Sequence, residues 1–394
     1  MNGGEGTMQR KTKFPCTIMR GGTSKGIFLM EEDLPRDPDL RDRIILAIFG
    51  SPDIRQIDGL GGADSLTSKL ALIASPKTGD RDVDYTFGAV GIDKPFIDYS
   101  ANCGNISSAV GPFVIEKGWV RSKEPYTTVR IFNTNTRKMI HAKVPIKKGR
   151  VISEGDYAMD GVPGTGAKIE LSFLDPGGAA TGRLIPTGKV VDEIVLDSGE
   201  SFPVTVVDAG NPTAFVHADA LGLRGTELPE NFDQNVMEKM KLEGIRKKVG
   251  ELIGIPVNPS IPKIAFVAPP QDFKTTAGRE VRKDEVDMVA RVMAMGKMHK
   301  TFAITAGIPA AAAAVIPGSV VSGCIGWDRD EGLKGEAIQR KVTIGHPSGK
   351  FEVEVLAKQE GAQPRILSCT IGRTARRIME GRVYISKKVY SFSG

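Results

Sequence analysis

The sequence predicts an α+β protein made of two similar halves, and three observations lead there. Short apolar runs separated by Gly-rich turns recur along the 394 residues, which is the pattern of many short strands. Helical periodicity is confined to a few segments. Two small-residue turns, Cys103-Gly104-Asn105-Ile106-Ser107-Ser108-Ala109 and Thr305-Ala306-Gly307-Ile308-Pro309-Ala310-Ala311, each lead into an apolar helix roughly 200 residues apart, the mark of a pseudo-symmetric pair of domains.

From the N-terminus, the first strand covers Phe14 to Met19, with Phe14, Cys16 and Ile18 on one face. The turn Gly21-Gly22-Thr23-Ser24-Lys25-Gly26 leads into a second strand, Ile27 to Met30. A helix follows: Asp37 is its N-cap, Pro38 sits in the first turn, Leu40, Ile44, Ile45 and Ile48 form the apolar stripe, and Gly50 stops it. A second Gly-rich loop, Asp58-Gly59-Leu60-Gly61-Gly62, leads to a strand over Ser68–Ile73. More strands are expected near 83–90, 128–133 and 138–146. The stretch from Gly161 to Gly188, rich in Gly and Pro, reads as the connection between the halves, giving domains 1–185 and 186–394. Strands resume near 189–196 and 203–208. A long helix is expected from Asp284, its cap, to Lys300, and a short one from Pro309 to Val315, ending before Pro317.

At 40% hydrophobic and 25% charged, the composition is that of a soluble globular protein. No apolar run of about 18 residues occurs, so no membrane span is expected. The first 16 residues lack the apolar core of a secretory signal and read as a short disordered leader. Four cysteines with no C-x-x-C pair build neither a disulfide framework nor a zinc site, and free thiols point to a reducing cytoplasm. The net charge of +6 is spread thinly except at Arg373, Arg376, Arg377, Arg382, Lys387 and Lys388. With 6% aromatic residues and no recognition motif, nucleic acid is not an expected partner. The cluster reads as intramolecular ion pairs, as a solvated face, or as a surface for a second subunit in a homo-oligomer. His141, His217, His299 and His346 stand at no metal-ligand spacing, and no G-x-S-x-G elbow starts a Ser-His-Asp triad, so neither a metal site nor a serine hydrolase is expected.

Cys103 is the most informative thiol. The apolar spacing of Ile106, Ala109, Val110, Phe113 and Val114 puts it at a helix N-terminus, where exposed N–H groups and the macrodipole favour thiolate and can also hold a carboxylate. A small buried packing residue is the alternative. Lys69 begins Lys69-Leu70-Ala71-Leu72-Ile73, a run apolar on both faces, where an amine must reach water, find a partner or lose its proton. A lysine desolvated in this way works as a base near neutral pH. The turn at Gly21–Gly26 and the Gly210-Asn211-Pro212 turn are each either a plain turn or an anion cradle.

Several of these segments resemble the PrpF-type isomerases, which include 2-methylaconitate cis-trans isomerase, 4-oxalomesaconate tautomerase and 3-methylitaconate Δ-isomerase. The resembling segments are MRGGTSKGIFL at 19–29, GSPDIRQIDGLGGADSLTSKLA at 50–71, NCGNISSAVGPF at 102–113, NTNT at 133–136, GAATGRLIPTG at 178–188, IGHPSG at 344–349 and GRTARRIMEG at 372–381. The 3-methylitaconate branch looks most similar, through TIMRGGTSKGIFL, GSPDIRQIDGL and DVDYTF. The resemblance implies the diaminopimelate epimerase-like fold, two α/β domains each with a mixed sheet around a central helix, with the segment from about 375 to 394 packing back on the first. Lys69 and Cys103 match the family's acid/base positions and Ser24 its serine near the substrate. Epimerases of this fold carry a second cysteine in the C-terminal half, and the turn near Thr305 has none, so Lys69 becomes the partner of Cys103. Gly104, Asn105, Ser107, Asn211 and Lys300 are added as carboxylate contacts.

The expected activity is a cofactor-independent shift of a proton and a C=C bond within a small unsaturated di- or tricarboxylate, 3-methylitaconate to dimethylmaleate first. The alternatives are 2-methylaconitate isomerisation, oxalomesaconate tautomerisation, or a non-catalytic protein that binds an organic acid. Lys69 is expected to take the proton and Cys103 to donate from the opposite side, or the reverse.

Overall fold

The structure, a computed structural model, describes residues 11–100, 102–294, 296–327, 337–361 and 363–391, so most of the leader lies outside the described residues. The chain opens with a hairpin, Lys13–Gly21 paired antiparallel with Ser24–Met30. Helix Pro38–Phe49 then carries it back so that Lys69–Ala74 lies parallel to Ser24–Met30. Asp37 caps that helix by accepting from the Leu40 N–H at 2.7 Å, and Gly50 ends it in the left-handed conformation, φ 76°. Val83–Val90 joins antiparallel, Tyr126–Asn133 parallel, and Lys138–Lys147 antiparallel.

The C-terminal half repeats this order. Hairpin Ser201–Ala209 with Asn211–His217 is followed by helix Val236–Leu252, and Lys263–Ala268 then lies parallel to Asn211–His217. Met288–Ala294 joins antiparallel, Ile338–His346 parallel, and Gly349–Glu360 antiparallel. Two antiparallel strands join the halves: Ile169–Leu174 pairs with Lys138–Lys147 on one side and with Gln363–Arg373 on the other. The last strand, Ala375–Tyr384, returns to pair with the first, Lys13–Gly21.

Each half-sheet curls around one helix. Gly104–Glu116 packs against the N-terminal strands and is buried from Gly104 to Ile115; Ile304–Ala314 packs against the C-terminal strands and is buried throughout. A helix that is apolar on every side must be surrounded, and the sheet does this. Gly111 lies against Val129, Ala142 and Val144, where no larger residue fits. The two helices meet at their N-termini, Gly104 against Ile304. Among the described residues, no helix is long and apolar enough to cross a membrane.

Three local expectations are corrected, and one helix is added. The long helix expected over 284–300 is a short 3-10 turn, Lys283–Glu285, followed by the strand Met288–Ala294. One side of it, Met288, Ala290 and Val292, faces one core, and Val289 and Met293 face another. A strand covered on both faces reads as an unbroken apolar run and loses the period-two signature. The long helix of this half is Val236–Leu252, which sequence reasoning missed because Met237, Met240 and Val236 on its outer side are exposed and blur the stripe. The helix expected from Pro309 starts at Ile304, and Pro309 is accommodated inside it at the cost of a single backbone hydrogen bond. The supposed loop from Gly161 to Gly188 contains Ile169–Leu174, whose alternating burial is that of a strand.

Candidate functional site

Lys69, Ser24 and Cys103 come together. The Lys69 Nζ donates to Ser24 Oγ at 2.8 Å and to Cys103 Sγ at 3.3 Å. The fold explains the convergence. Gly26 is the partner of Lys69 across two parallel strands, so Ser24, two residues earlier, lies on the same face at the strand end. Gly22, at φ 52°, and Thr23 form the two-residue hairpin turn that puts Ser24 there. This turn presses on the first turn of helix Gly104–Glu116, where a Cβ on Gly22 would overlap the Asn105 amide.

Cys103 is the N-cap residue of that helix and is 8% exposed. Its carbonyl accepts from the Ser107 N–H and hydroxyl, both at 3.0 Å, while its thiol makes no capping bond and is left to face Lys69. The NTNT segment holds the preceding residue: Asn133 donates to Asn102, and Asn135 ties Asn133 to the Phe87 and Tyr99 backbone. In the same core cluster lies Tyr85, kept neutral far above its ordinary range by burial first and by the proximity of Cys103 second.

The carboxylate contacts expected from sequence occupy different surroundings. Gly104 stands at the meeting point of the two helices. Asn105 donates to Thr23 Oγ1 at 3.0 Å and accepts from the buried Arg373 guanidinium at 3.3 Å, locking the hairpin turn to the helix. Ser107 is fully buried and bonded back along its own helix. Asn211, 1% exposed, carries a buried Nδ2 with no partner among the described residues. Lys300 is exposed, in an ion pair with Asp64 at 3.1 Å that joins the two halves.

Two groups near Lys69 were missed by sequence reasoning. Burial and then repulsion from Lys69 push the Lys263 amine down to about 8, with Cys103 and Asp98 pulling the other way. Burial, with the Lys69 charge second, pushes His299 down to about 4; its Nδ1 accepts from the Thr301 N–H at 3.1 Å, so the neutral ring carries its proton on Nε2. A signal for Lys263 existed. Lys263-Ile264-Ala265-Phe266-Val267-Ala268 repeats the form of Lys69-Leu70-Ala71-Leu72-Ile73-Ala74.

Two expectations about geometry are revised. A thiol and an amine at hydrogen-bond distance leave no space for a substrate carbon between them, so the expected placement on opposite sides of a molecule does not fit the geometry. The residue equivalent to Cys103 in the second half is Ala303, the N-cap of Ile304–Ala314, two positions before the Thr305 that the sequence pairing suggested. The second half therefore has no thiol at this place. Among the described residues, no group of three or more His, Cys, Asp or Glu side chains is placed to hold a metal ion.

A hydroxyproline epimerase from Agrobacterium vitis is similar over 95% of this chain and 93% of its own, with a TM-score of 0.57 at 13% identity, so the fold class is that of the epimerases. Within this class, the chain belongs to the PrpF protein family, which matches residues 11–386. It is 45% identical over 389 residues to the 3-methylitaconate isomerase of Eubacterium barkeri, covering 96% of this chain and 99% of that one. The 2-methyl-aconitate isomerase of Shewanella oneidensis is 37% identical, covering 95% of this chain and 97% of its own. The crystal structure of a methylitaconate-delta-isomerase is similar with a TM-score of 0.78 and 44% identity, covering 97% of each chain. The protein is an isomerase.

Proposed function

We propose that this isomerase converts 3-methylitaconate to dimethylmaleate at the seam between an N-terminal half, 1–185, and a C-terminal half, 186–394, with Lys69 and Cys103 as proton carriers. The observation that carries the assignment is the Lys69 amine held between Ser24 and Cys103, 2.8 and 3.3 Å away. The substrate choice follows from the likeness to the Eubacterium barkeri enzyme, the most similar of the named relatives above.

The reaction removes the proton from the carbon that carries the methyl group and a carboxylate, and returns a proton to the terminal methylene, so the C=C bond moves one position inward. With the proton of their shared hydrogen bond on the thiol, the Lys69 amine takes the substrate proton, the electron pair delocalises into a dienolate, and Cys103 supplies a proton to the far carbon. Because the amine and thiol touch, one hydrogen bond returns the proton from Lys69 to Cys103 and both transfers use the same face. The dienolate places extra charge on a carboxylate, which the N-termini of Gly104–Glu116 and Ile304–Ala314, abutting at Gly104 and Ile304, stabilise through free N–H groups. Ser24 orients the amine. Asn105, Asn211 and Lys300 are the carboxylate contacts, while the Ser107 hydroxyl, spent on the Cys103 carbonyl, holds the helix end in place; Lys300 acts from the rim, by exchanging Asp64 for substrate.

Proton NMR in deuterated buffer on a panel of methylitaconate, 2-methylaconitate, aconitate and oxalomesaconate tests this. Methylitaconate is expected to turn over fastest, with deuterium entering the new methyl group. Turnover of only another acid in the panel would reassign the substrate, and turnover of none would leave the assignment without support.

A further inference from the structure

Lys263 occupies in the second half the place that Lys69 occupies in the first. Each lysine is the first residue of a buried strand, Lys263–Ala268 and Lys69–Ala74. Each strand lies parallel to the second strand of a hairpin, with Thr213 opposite Lys263 and Gly26 opposite Lys69. Two residues before those partners stand Asn211 and Ser24. Each lysine is thus matched to a polar side chain on the same strand face, turned toward the central helix of its half. The burial pattern agrees: Phe215, Ala265 and Val267, which continue the faces of Asn211 and Lys263, belong to the core around the central helices.

The two places differ in what completes them. Lys69 has a hydroxyl and a thiol. At the position of the thiol, the second half has Ala303. Lys263, 8% exposed, makes one hydrogen bond, to the Ser260 carbonyl at 3.2 Å, and no ion pair among the described residues. Its loop is fastened to the first half, because Ser260 Oγ bonds Asp98 and Asn258 donates to Ser100, just before Cys103. A buried ammonium with hydrogens to spare and a buried amide Nδ2 without a partner, on adjacent strands, are two donors that want one acceptor.

We propose that Lys263, with Asn211, anchors a carboxylate of the substrate, fixing the molecule against Lys69 and Cys103 without itself transferring a proton. Lys263 is the counterpart of Lys69 with its proton-transfer partner deleted, so the same scaffold position supplies charge in one half and acid/base chemistry in the other. The inference rests on the proposed isomerase action on a diacid.

The test uses the full chain with two changes, Lys263→Met, which fills the buried space without a charge, and Lys263→Arg. Calorimetry with methylsuccinate, a saturated diacid that cannot isomerise, and with butyrate, a monoacid, reads the anchor apart from catalysis. For Lys263→Met, methylsuccinate affinity is expected to fall roughly ten- to a hundredfold while butyrate affinity changes less than about twofold; the arginine variant restores most of the loss. With methylitaconate as substrate, KM rises and kcat is retained. Unchanged diacid affinity, equal loss for both acids, or a kcat loss with a displaced pH profile at constant KM would each overturn the anchor role. If methylitaconate is not turned over by the wild type, the calorimetric difference between diacid and monoacid still decides the role of Lys263.

Discussion

Gly104 and Ile304, the first residues of the two central helices, are in contact, so that a Cβ on Gly104 would overlap the Ile304 side chain. The absence of a side chain at Gly104 is what allows the two helix ends to meet. Gly104→Ala is expected to destabilise by about 1–3 kcal/mol through overpacking and to depress kcat by moving the helix ends apart. Ile304→Ala in the same chain opens space and should recover part of the stability, as read by chemical unfolding of both single variants and the double. Full additivity of the two single effects would contradict the contact.

Lys69→Ala and Cys103→Ala are each expected to lower kcat by at least about a hundredfold with the fold retained. In the proposed mechanism the two groups act through one shared hydrogen bond, so the double variant should be little worse than the poorer single one. Ser24→Ala removes only the orienting bond and is expected to cost less than either. Near-wild-type turnover in the Lys69 or Cys103 variant removes that residue from the chemistry.

Gly22 and Asn105 are coupled through the hairpin turn. Gly22→Ala adds a Cβ at φ 52° that runs into the Asn105 amide, so a loss of about 2 kcal/mol or more is expected. Asn105→Ala loses the bonds to Thr23 and Arg373. In the double variant the amide that meets the added Cβ is gone, so the measured loss should fall short of the sum; a sum within about 0.5 kcal/mol would argue against coupling.

His346 is 3% exposed, and burial followed by the Arg291 charge pushes it down to about 3. An unfolded histidine titrates near 6.5, so between these values the unfolded chain binds the extra proton and stability falls as pH falls. His299, depressed to about 4, acts in the same direction. Between pH 6.5 and 5, above the range where carboxylates dominate, unfolding free energy is expected to decline by up to about 1.4 kcal/mol per pH unit for His346. Denaturant titrations across this range should show a shallower slope in His346→Gln; an unchanged slope would refute the contribution.

The sequence by itself determined the elements whose signals are local. Asp37 and Gly50 marked the ends of a helix because capping depends on a few adjacent backbone groups, and Cys103 was placed at a helix N-terminus by the spacing of Ile106, Val110 and Phe113. The family and fold class were legible in long ordered motifs such as NCGNISSAVGPF. Only the tertiary structure decided what depends on the far side of a sheet. Met288–Ala294 became a strand because two cores cover its two faces, and Ile169–Leu174 became one because strands of both halves pair with it. The contact of Lys69 with Ser24 and Cys103 spans 45 and 34 residues and is set by strand register and helix packing together. Lys263 escaped notice for the same reason. Its meaning lies in a repeat of strand pairings, a relation between distant segments that no single stretch of the chain encodes.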